Sequence, residues 1–427
     1  MVASPEPAAI PSFEDARHIV EAHAAALGEP AIERVELLLS AGRVLAEPVL
    51  ADRDIPPFQR STRDGYAVRT ADLAKLPATL VVIGEIRAGE KPEEIPASME
   101  LGQAVSIMTG APMPIGADAV VMVEYTSPHG ARVEITKGVA AGENVVTRGA
   151  EARQGGLLLD KGTLLNEAAI ALAASVGKLR VEVYKRPQVA VITTGDEIVD
   201  LETVPGPTQI RNSNSYSLAA QIGKAGGDPV LLPIAPDERQ RLREVVEEGL
   251  QSDLLLLTGG VSMGRYDLVE EVLAEMKAEF FFTGAKIQPG RPVVFGRVPV
   301  GAGAPAREGF SVPSQGRYFF GLPGNPVSTM VTFELFARPM LEALAGMSPR
   351  KLMFVHARLK SEIRVKTGLK RFLPAVLSGE FEHSEVELVA WQGSGDIAAV
   401  ARANCYAVIP PDRDRIAAGE WVAVMMR

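Results

Sequence analysis

Four short segments of the chain follow runs of residues that are typical of buried β-strands, and three of them contain glycine. Glycine lets backbone N–H groups approach an anion closely, and a helix that begins behind such a loop adds a favourable dipole. In an open α/β sheet, ligands bind beyond the carboxyl ends of the strands. One such loop alone is commonly only a turn, whereas four at one edge predict an anion-binding site. The candidate residues are Thr194, Gly195, Gly259, Gly260, Ser262, Pro323, Gly324, Asn325 and Pro326.

Three carboxylates accompany these segments: Glu197, Asp237 and Asp267. Hard cations such as Mg²⁺ take oxygen ligands from one or two carboxylates together with phosphate oxygens of a substrate. The three side chains are therefore candidate Mg²⁺ ligands over the same edge. The alternative is that each carboxylate caps the helix that it precedes, most clearly Asp237, which stands at the start of a helical pattern. The two roles are compatible.

The composition excludes several other chemistries. A net charge of −9 argues against a general nucleic-acid binder, because phosphate contacts need an excess of Lys and Arg. The single cysteine, Cys405, allows no disulfide framework and no Cys-based metal site, and we expect it to be a buried core residue. The five histidines are scattered, so neither a zinc hydrolase nor a His-based triad is supported. With no signal-peptide pattern and no apolar run of roughly 18 residues, a cytoplasmic location is expected.

The hydrophobic pattern predicts a multidomain α/β plus β protein with four units. Residues 11–53 and 148–185 form a discontinuous helical linker domain, because helical spacing recurs on both sides of the segment between them. Residues 54–147 have short β-type runs separated by Gly and Pro, which is typical of a β-rich insertion. Residues 186–347 alternate strand and helix, which implies a mostly parallel sheet covered on both faces. Residues 348–427 return to short strands and form a second β domain.

The individual elements follow from the period of the apolar residues. Ser12, with Asp15 three residues later, is expected to cap the first helix. The expected helices are 12–27, 35–45, 166–176, 215–225, 237–250, 268–277 and 327–345; the expected strands are 80–84, 104–107, 119–123, 189–193, 229–234, 253–258, 293–296 and 318–321.

Several segments resemble signature motifs of the MoeA and gephyrin family of molybdopterin molybdenumtransferases. They occur in the family's order over roughly residues 11–427, and as a set they are highly specific. The segments are Pro56-Pro57-Phe58 with Ser61 and Asp64-Gly65-Tyr66-Ala67-Val68; Met108-Thr109-Gly110-Ala111-Pro112-Met113-Pro114; Thr193-Thr194-Gly195-Asp196-Glu197; Thr258-Gly259-Gly260-Val261-Ser262-Met263-Gly264; Pro289-Gly290-Arg291-Pro292; Leu322-Pro323-Gly324-Asn325-Pro326; and Gln392-Gly393-Ser394-Gly395.

The resemblance implies a fold and an activity. The fold has a central MogA-like α/β domain, a β-rich insertion, a helical linker and a C-terminal β-barrel-like domain. Family members insert molybdate into adenylated molybdopterin and release AMP in a Mg²⁺-dependent step, as dimers whose active site draws on both subunits. The chain is therefore expected to be a homodimeric transferase of molybdenum cofactor biosynthesis, with no nucleic acid or membrane partner and transient contact with other proteins of that synthesis.

The resemblance also implies residue roles. Asp64, Glu197, Asp237 and Asp267 are expected to be catalytic, and the last three to bind Mg²⁺. Cleavage of a phosphoanhydride calls for charge neutralisation and positioning more than for a protein nucleophile. Besides the loop residues named above, the expected substrate-binding residues are Thr109, Lys286, Pro289, Gly290, Arg291, Pro292 and Ser394.

One departure from the family pattern concerns the oxyanion. The family usually has a lysine immediately before Pro289 and another a few residues upstream, where this chain has Gln288 and Gly284. Lys286 is expected to substitute in part, because residues two apart on an extended segment face the same side. A lysine point charge two residues away is not equivalent. The residues expected to bind the pterin nucleotide therefore match the family pattern better than those expected to bind the oxyanion.

Two further departures lie elsewhere. The acidic run after the insertion is reduced to Glu151, and Pro374 stands where many members carry an arginine, with Arg371 as the nearest base. The segment 301–315 is rich in Gly, Ala and Pro, and no function is assigned to it.

These departures leave two alternatives open. One is the preceding step, adenylation of molybdopterin, which the central α/β domain performs alone in related single-domain proteins. The other is a non-catalytic molybdopterin-binding carrier or paralogue; the short N-terminus, without a long Pro/Ser-rich linker, argues against a scaffold role. Molybdate and tungstate are both tetrahedral oxyanions of similar charge, so the sequence accommodates either.

Overall fold

A computed structural model of the chain describes residues 10–90, 98–260, 268–299, 316–348, 350–380 and 382–427. The chain begins with helix α1 (Phe13–Ala25), and Ser12 caps it by accepting a hydrogen bond from the backbone N–H of Asp15 at 3.1 Å, as predicted. The ring of Phe13 lies against those of Phe336 and Phe372, far along the chain. Helix α1 therefore packs against the central and C-terminal units.

The helix expected over residues 35–45 is a wrong prediction. Strand β1 (Ile32–Glu36) and a 3-10 turn over Leu37–Leu39 occupy this stretch, and β2 (Val49–Leu50) follows. β1 pairs antiparallel along its whole length with residues 180–184, so pairing across the fold overrides the helical spacing of the apolar residues.

The insertion folds as a β unit, as predicted. Its strands are β3 (Arg60–Ser61), β4 (Gly65–Val68), β5 (Ala78–Ile86), β6 (Gln103–Ile107), β7 (Ala119–Met122), β8 (Thr126–His129), β9 (Arg132–Ile135) and β10 (Val145–Val146). Six of them form a mixed sheet in the order β7-β4-β6-β5-β9-β8, and β3 pairs with β10. Alternate residues of these strands build separate apolar clusters, which is the period-2 pattern of a strand with two packed faces.

The chain then returns through β11 (Leu157–Leu159), α2 (Glu167–Ser175) and β12 (Arg180–Tyr184). β11 pairs with β2 and β12 with β1, so the segments on either side of the insertion close into one small unit. Asn166 caps α2, as an Asn before a helix predicts. This unit holds one helix and two strand pairs, so it is less helical than expected; the unit boundaries themselves stay a prediction.

The central unit alternates strands and helices. Its elements are β13 (Gln188–Thr193), β14 (Ile198–Val199), β15 (Ile210–Arg211), α3 (Asn214–Lys224), β16 (Asp228–Leu231), α4 (Arg239–Gly249), β17 (Leu254–Thr258), α5 (Leu268–Glu275), β18 (Glu279–Phe282), β19 (Ile287–Gln288), β20 (Val294–Val298), β21 (Arg317–Leu322), α6 (Pro326–Thr332) and α7 (Arg338–Leu344). The sheet order is β16-β13-β17-β21-β20-β18, with the first four strands parallel. Separate apolar clusters cover its two faces, as predicted.

Helices α6 and α7 form one helical stretch, as expected for 327–345, with a π-helical turn over Phe333–Ala337 between them. The apolar stripe of α4, with Leu242 and Val246, packs on the sheet and is buried there together with Leu250, which directly follows the helix.

The C-terminal unit is a closed barrel. Its elements are β22 (Phe354–Leu359), β23 (Ile363–Arg364), β24 (Lys370–Ser378), β25 (Glu385–Leu388), α8 (Ile397–Arg402), β26 (Cys405–Ile409), β27 (Arg415–Ile416) and β28 (Trp421–Met426). Five strands form the barrel in the order β24-β25-β22-β28-β26, and it closes because β26 also pairs with β24. Strand β19 of the central unit pairs with β24 from outside this ring. Cys405 is buried there, as expected, and burial raises the pKa of its thiol to about 11.

Candidate functional site

Three neighbouring parallel strands, β13, β17 and β21, end side by side. Gly259 has φ +90°, and a Cβ atom on it would lie 2.5 Å from the carbonyl oxygen of Thr194. A Cβ atom on Gly324 would lie 3.4 Å from the Cα of Gly259. The loops therefore touch through their backbones, an approach that a side chain at Gly259 would prevent.

The end of β16 joins the same edge, because Thr194 forms a parallel bridge with Ala235. The structure thus gathers most of the residues that the sequence placed at a strand end, while their role in binding stays a prediction. These residues are Thr194, Gly195, Gly259, Gly260, Pro323, Gly324, Asn325 and Pro326. Asn325 stands at the N-cap position of α6, without a side-chain capping hydrogen bond among the described residues, and Pro326 is the first residue of the helix.

Asn214, which the sequence analysis missed, ties two of these loops together. It is the first residue of α3 and is 7% exposed. Its side-chain amide donates to Thr258 Oγ1 at 2.9 Å and to the carbonyl oxygen of Gly324 at 2.7 Å. The hydroxyl of Thr258 in turn donates to the carbonyl oxygen of Pro323 at 3.1 Å. The available signal was the Asn-Ser-Asn-Ser run at 212–215, since such residues favour helix starts.

Two buried oxygen atoms at this edge have no hydrogen-bond partner among the described residues: Thr194 Oγ1 and Asn214 Oδ1. Leaving a buried polar atom unsatisfied costs about 1–3 kcal/mol, and native proteins rarely do so. A ligand that presents N–H or O–H groups to this edge would satisfy both atoms. Among the described residues, both atoms are therefore open hydrogen-bond acceptors at this edge.

The acidic side of the edge is formed by Asp196, Glu197 and Asp237. The backbone N–H of Asp237 donates to Oδ1 of Asp196 at 3.1 Å. Asp237 is exposed, and partial desolvation of its carboxyl, with the negative charges of Asp196 and Glu197, raises the pKa of Asp237. The capping role considered for Asp237 is wrong, because α4 begins later, behind Glu238, and within the described residues no side chain caps it.

The predicted Mg²⁺ site is only partly described. Asp267 and Ser262 lie outside the described residues. Within the described ranges, no group of three or more His, Cys, Asp or Glu side chains is arranged to hold a metal ion. The described donors are therefore the carboxylates of Glu197 and Asp237, with Asp196, which the sequence analysis did not select, beside them. Carboxylate oxygens are the donor type that Mg²⁺ requires.

Asp64 and Thr109 form a second small cluster, in the insertion. Oδ1 of Asp64 accepts hydrogen bonds from the backbone N–H of Thr109 at 2.6 Å and from its hydroxyl at 2.8 Å. These bonds lower the pKa of the exposed Asp64 carboxyl, so it is held ionised. The structure brings together two residues that the sequence analysis named in different motifs.

A cavity of about 680 Å³ opens between the central unit and the barrel. It is lined by seven predicted site residues: Pro289, Gly290, Arg291, Pro292, Pro323, Asn325 and Ser394. The loop that carries Ser394 is anchored to α6, because the carbonyl oxygen of Ser394 accepts a hydrogen bond from the backbone N–H of Val327 at 3.0 Å. Gly290 has φ +97°, and a Cβ atom on it would lie 2.3 Å from Cγ2 of Thr332.

Other lining residues were not selected from the sequence. They include Ser328, Lys366, Arg371 and Trp391. Lys286, which was expected to replace the family's lysines, is exposed and is not part of this lining, whereas Gln288 is. Sequence spacing along one strand could not find the barrel residues, because they come from a different unit.

The two other departures from the family pattern, Glu151 and Pro374, do not line this cavity. Glu151 pairs with Arg60 at 3.1 Å between partly exposed side chains. Pro374 is buried in β24 opposite Tyr406 of β26, within the barrel wall.

Family models cover most of the chain. The MoeA N-terminal region (domain I and II) matches residues 11–177, a probable molybdopterin binding domain matches 190–343, and the MoeA C-terminal region (domain IV) matches 356–426. With the fold described above, these matches define a multidomain protein of MoeA architecture. Across the described residues, no helix is long and apolar enough to span a membrane.

Individual relatives agree over nearly the whole length. A molybdopterin molybdenumtransferase of Nostoc sp. is 35% identical over 402 residues, which covers 92% of this chain and 88% of the relative. One of Staphylococcus aureus (strain COL) is 33% identical, covering 93% and 91%. The crystal structure of a molybdopterin biosynthesis MoeA protein from Pyrococcus horikoshii has 28% identity and a TM-score of 0.75, covering 98% of this chain and all of that one. The chain belongs to the molybdopterin molybdenumtransferase (MoeA) family, as its motifs implied.

Proposed function

We propose that this protein inserts molybdate into adenylated molybdopterin and releases AMP in a Mg²⁺-dependent step. The observation that carries the proposal is the edge formed by β13, β17 and β21, where Thr194 Oγ1 and Asn214 Oδ1 are buried and have no hydrogen-bond partner in the described ranges. A pterin nucleotide offers N–H and O–H donors to such atoms and an anionic phosphate to the adjoining loops. The membership of the family and the full-length match support the transferase over adenylation alone.

The protein's own groups position and neutralise charge. The backbone N–H groups of Gly195 and Gly259 already donate to the carbonyl oxygens of Ala235 and Leu322, at 3.4 and 3.3 Å. The amides of Gly260 and Gly324 have no partner among the described residues and suit close approach by a phosphate. Glu197 and Asp237 suit Mg²⁺, which when bound would neutralise the charge of the phosphoanhydride. Since partial desolvation and neighbouring carboxylates raise the pKa of Asp237, a cation there would relieve an existing repulsion.

The test is AMP release from adenylated molybdopterin by the purified full chain, followed by activation of a molybdenum-dependent apoenzyme with the product. We expect release to require both Mg²⁺ and molybdate, and a parallel series with tungstate measures the metal preference. Asp237→Asn should lower the rate about a hundredfold or more. Asp228→Asn is the matched control, because Asp228 stands at the opposite, amino end of β16.

Two results would contradict the transferase. Adenylation of molybdopterin from ATP without any dependence on molybdate would assign the preceding step. Binding of adenylated molybdopterin without AMP release under any metal condition would indicate that the protein is a non-catalytic carrier.

We propose further that the site is shared between two subunits of a homodimer, with Asp64 supplied by one subunit and Asp237 by the other. The support is that Asp64 lies in the insertion, and in the described residues its side chain hydrogen-bonds Thr109 alone and no residue of the central unit. Asp64→Asn and Asp237→Asn should each be inactive, yet mixed dimers should regain about a quarter of wild-type activity on random exchange. No recovery after verified subunit exchange would place both carboxylates in one subunit's site.

A further inference from the structure

The cavity between the central unit and the barrel is locally cationic. Its lining contains Arg291, Lys366 and Arg371 and, among the described residues, no carboxylate. The whole chain carries a net charge of −9, so this lining is opposite in sign to the protein around it. None of the three bases forms an ion pair within the described ranges. A cavity with this charge pattern suits a small anion.

Arg371 is the most constrained of these bases. It is 6% exposed. Its Nε–H donates to Oε1 of Gln288 at 2.8 Å, and its Nη1 donates to the carbonyl oxygen of Leu369 at 3.2 Å. Its Nη2 has no partner in the described part of the chain. Nη2 is not among the buried side-chain atoms that lack a partner, so it is open to the cavity, where an anionic ligand would pair with the charge.

The register between the two units explains why the charge stands here. β19 runs parallel to β24, with Gln288 directly opposite Arg371. The family's lysine belongs at position 288, so a positive charge at position 371 reaches the same part of the cavity from the neighbouring strand. A lysine at 288 would repel Arg371, whereas the neutral Gln288 accepts its hydrogen bond. The cationic charge is relocated across the strand pair rather than lost.

We propose that Arg371, oriented by Gln288, is the residue that binds the oxyanion, and that it replaces the family's lysine from the barrel side. The inference rests on the proposed function for the identity of the anion. A guanidinium presents a planar fork that can donate two hydrogen bonds to a tetrahedral oxyanion, which a lysine cannot do. Arg371, rather than the exposed Lys286, therefore determines oxyanion affinity.

The test is the dissociation constant of molybdate, and in parallel of tungstate, for the full chain without nucleotide, measured by calorimetry. Arg371→Gln should weaken binding about tenfold or more, the scale of one charge-assisted hydrogen bond. Gln288→Lys combined with Arg371→Gln restores a cation at the family position and should recover most of the affinity. Arg358→Gln, which removes an exposed arginine stacked on Trp421 in the same barrel, is the matched control and should bind as wild type.

A second variant, Gln288→Glu, tests the proposal independently in case Arg371→Gln does not fold. Gln288→Glu places a carboxylate beside Arg371 and supplies the missing charge internally. It should raise the melting temperature and weaken molybdate binding about tenfold. If Gln288→Glu and a folded Arg371→Gln both bind molybdate within about twofold of wild type, or if Lys286→Gln alone weakens it, the proposal is wrong.

The outcome is separable from that of the proposed function. AMP release with an unchanged molybdate dependence in Arg371→Gln would leave the transferase standing and remove the role of Arg371. If oxyanion binding depends on Arg371 but the wild-type chain releases no AMP, the role of Arg371 stands and the proposed transferase activity is wrong.

Discussion

The side-chain amide of Asn214 donates to the carbonyl oxygen of Gly324 at 2.7 Å, so the first residue of α3 fixes the loop that follows β21. The same amide reaches Thr258 at the end of β17. One side chain thereby sets the spacing of two strand-end loops, and its carbonyl oxygen is left without a partner in the described residues. The relative placement of these loops determines which ligand fits at this edge.

Asn214→Ala should destabilise the protein by about 1–3 kcal/mol, because it removes the buried hydrogen bond to Oγ1 of Thr258 as well as the one to the Gly324 carbonyl. It should also weaken binding of the pterin nucleotide. Urea unfolding and nucleotide titration measure the two effects. Asn404→Ala is the control, since Asn404 makes a similar side-chain bond to the carbonyl oxygen of Leu377 in the barrel. If Asn214→Ala binds nucleotide as well as Asn404→Ala does, Asn214 is a structural residue alone.

Thr194→Val should leave stability unchanged or slightly raised, because it removes a buried hydroxyl that has no partner in the described residues. Nucleotide affinity should nevertheless fall. Thr193→Val is the matched neighbour: the hydroxyl of Thr193 bonds Ser215 at 2.8 Å, so its loss should cost about 1–3 kcal/mol. Unfolding curves and nucleotide titrations of both variants test the contrast. Equal destabilisation by the two substitutions would remove the argument for an open ligand partner at Thr194.

Asp237 predicts a pH dependence. Its pKa is raised in the folded state by partial desolvation and by the charges of Asp196 and Glu197. For a carboxyl with a raised pKa, the stabilising contribution is full below the unfolded pKa and is lost as pH rises through the folded pKa. Asp237→Asn should therefore melt higher than wild type at about pH 7, with the difference shrinking towards about pH 4. Mg²⁺ should raise the melting temperature of wild type at neutral pH more than that of Asp237→Asn. A difference in melting temperature between the two proteins that stays constant across this pH range would contradict a raised pKa for Asp237.

Gly290→Ala should destabilise the protein by about 1–3 kcal/mol, because it combines an unfavourable positive φ with a contact of 2.3 Å to Thr332. The shifted loop should also change the cavity and weaken oxyanion binding. Gly223→Ala is the control, since that glycine lies in α3 with open space around it, and it should stabilise by about 0.5–1 kcal/mol. Chemical denaturation compares the two; a neutral Gly290→Ala would mean that the loop relaxes without cost.

Part of the fold could be read from local pattern. The α/β alternation gave the parallel sheet, and the apolar stripe of α4 gave its packing face, because both depend on residues close in sequence. The helix expected over 35–45 failed because β1 pairs with β12, more than a hundred residues away. The capping role considered for Asp237 failed because α4 begins at Arg239, behind Glu238.

The sequence by itself determined which residues form the strand-end loops, since glycine, proline and capping residues act on their own few neighbours. Those loops meet at one edge because parallel strands share a direction. Only the tertiary structure decided what faces them. Asn214 lies in a run that is typical of helix starts, but the local sequence of neither Asn214 nor Arg371 shows its partner, which lies in another element: Gly324 for the first and Gln288 for the second. Charge and hydrogen bonding act across space, so a cation missing at position 288 could be supplied from position 371 once β19 and β24 came into register.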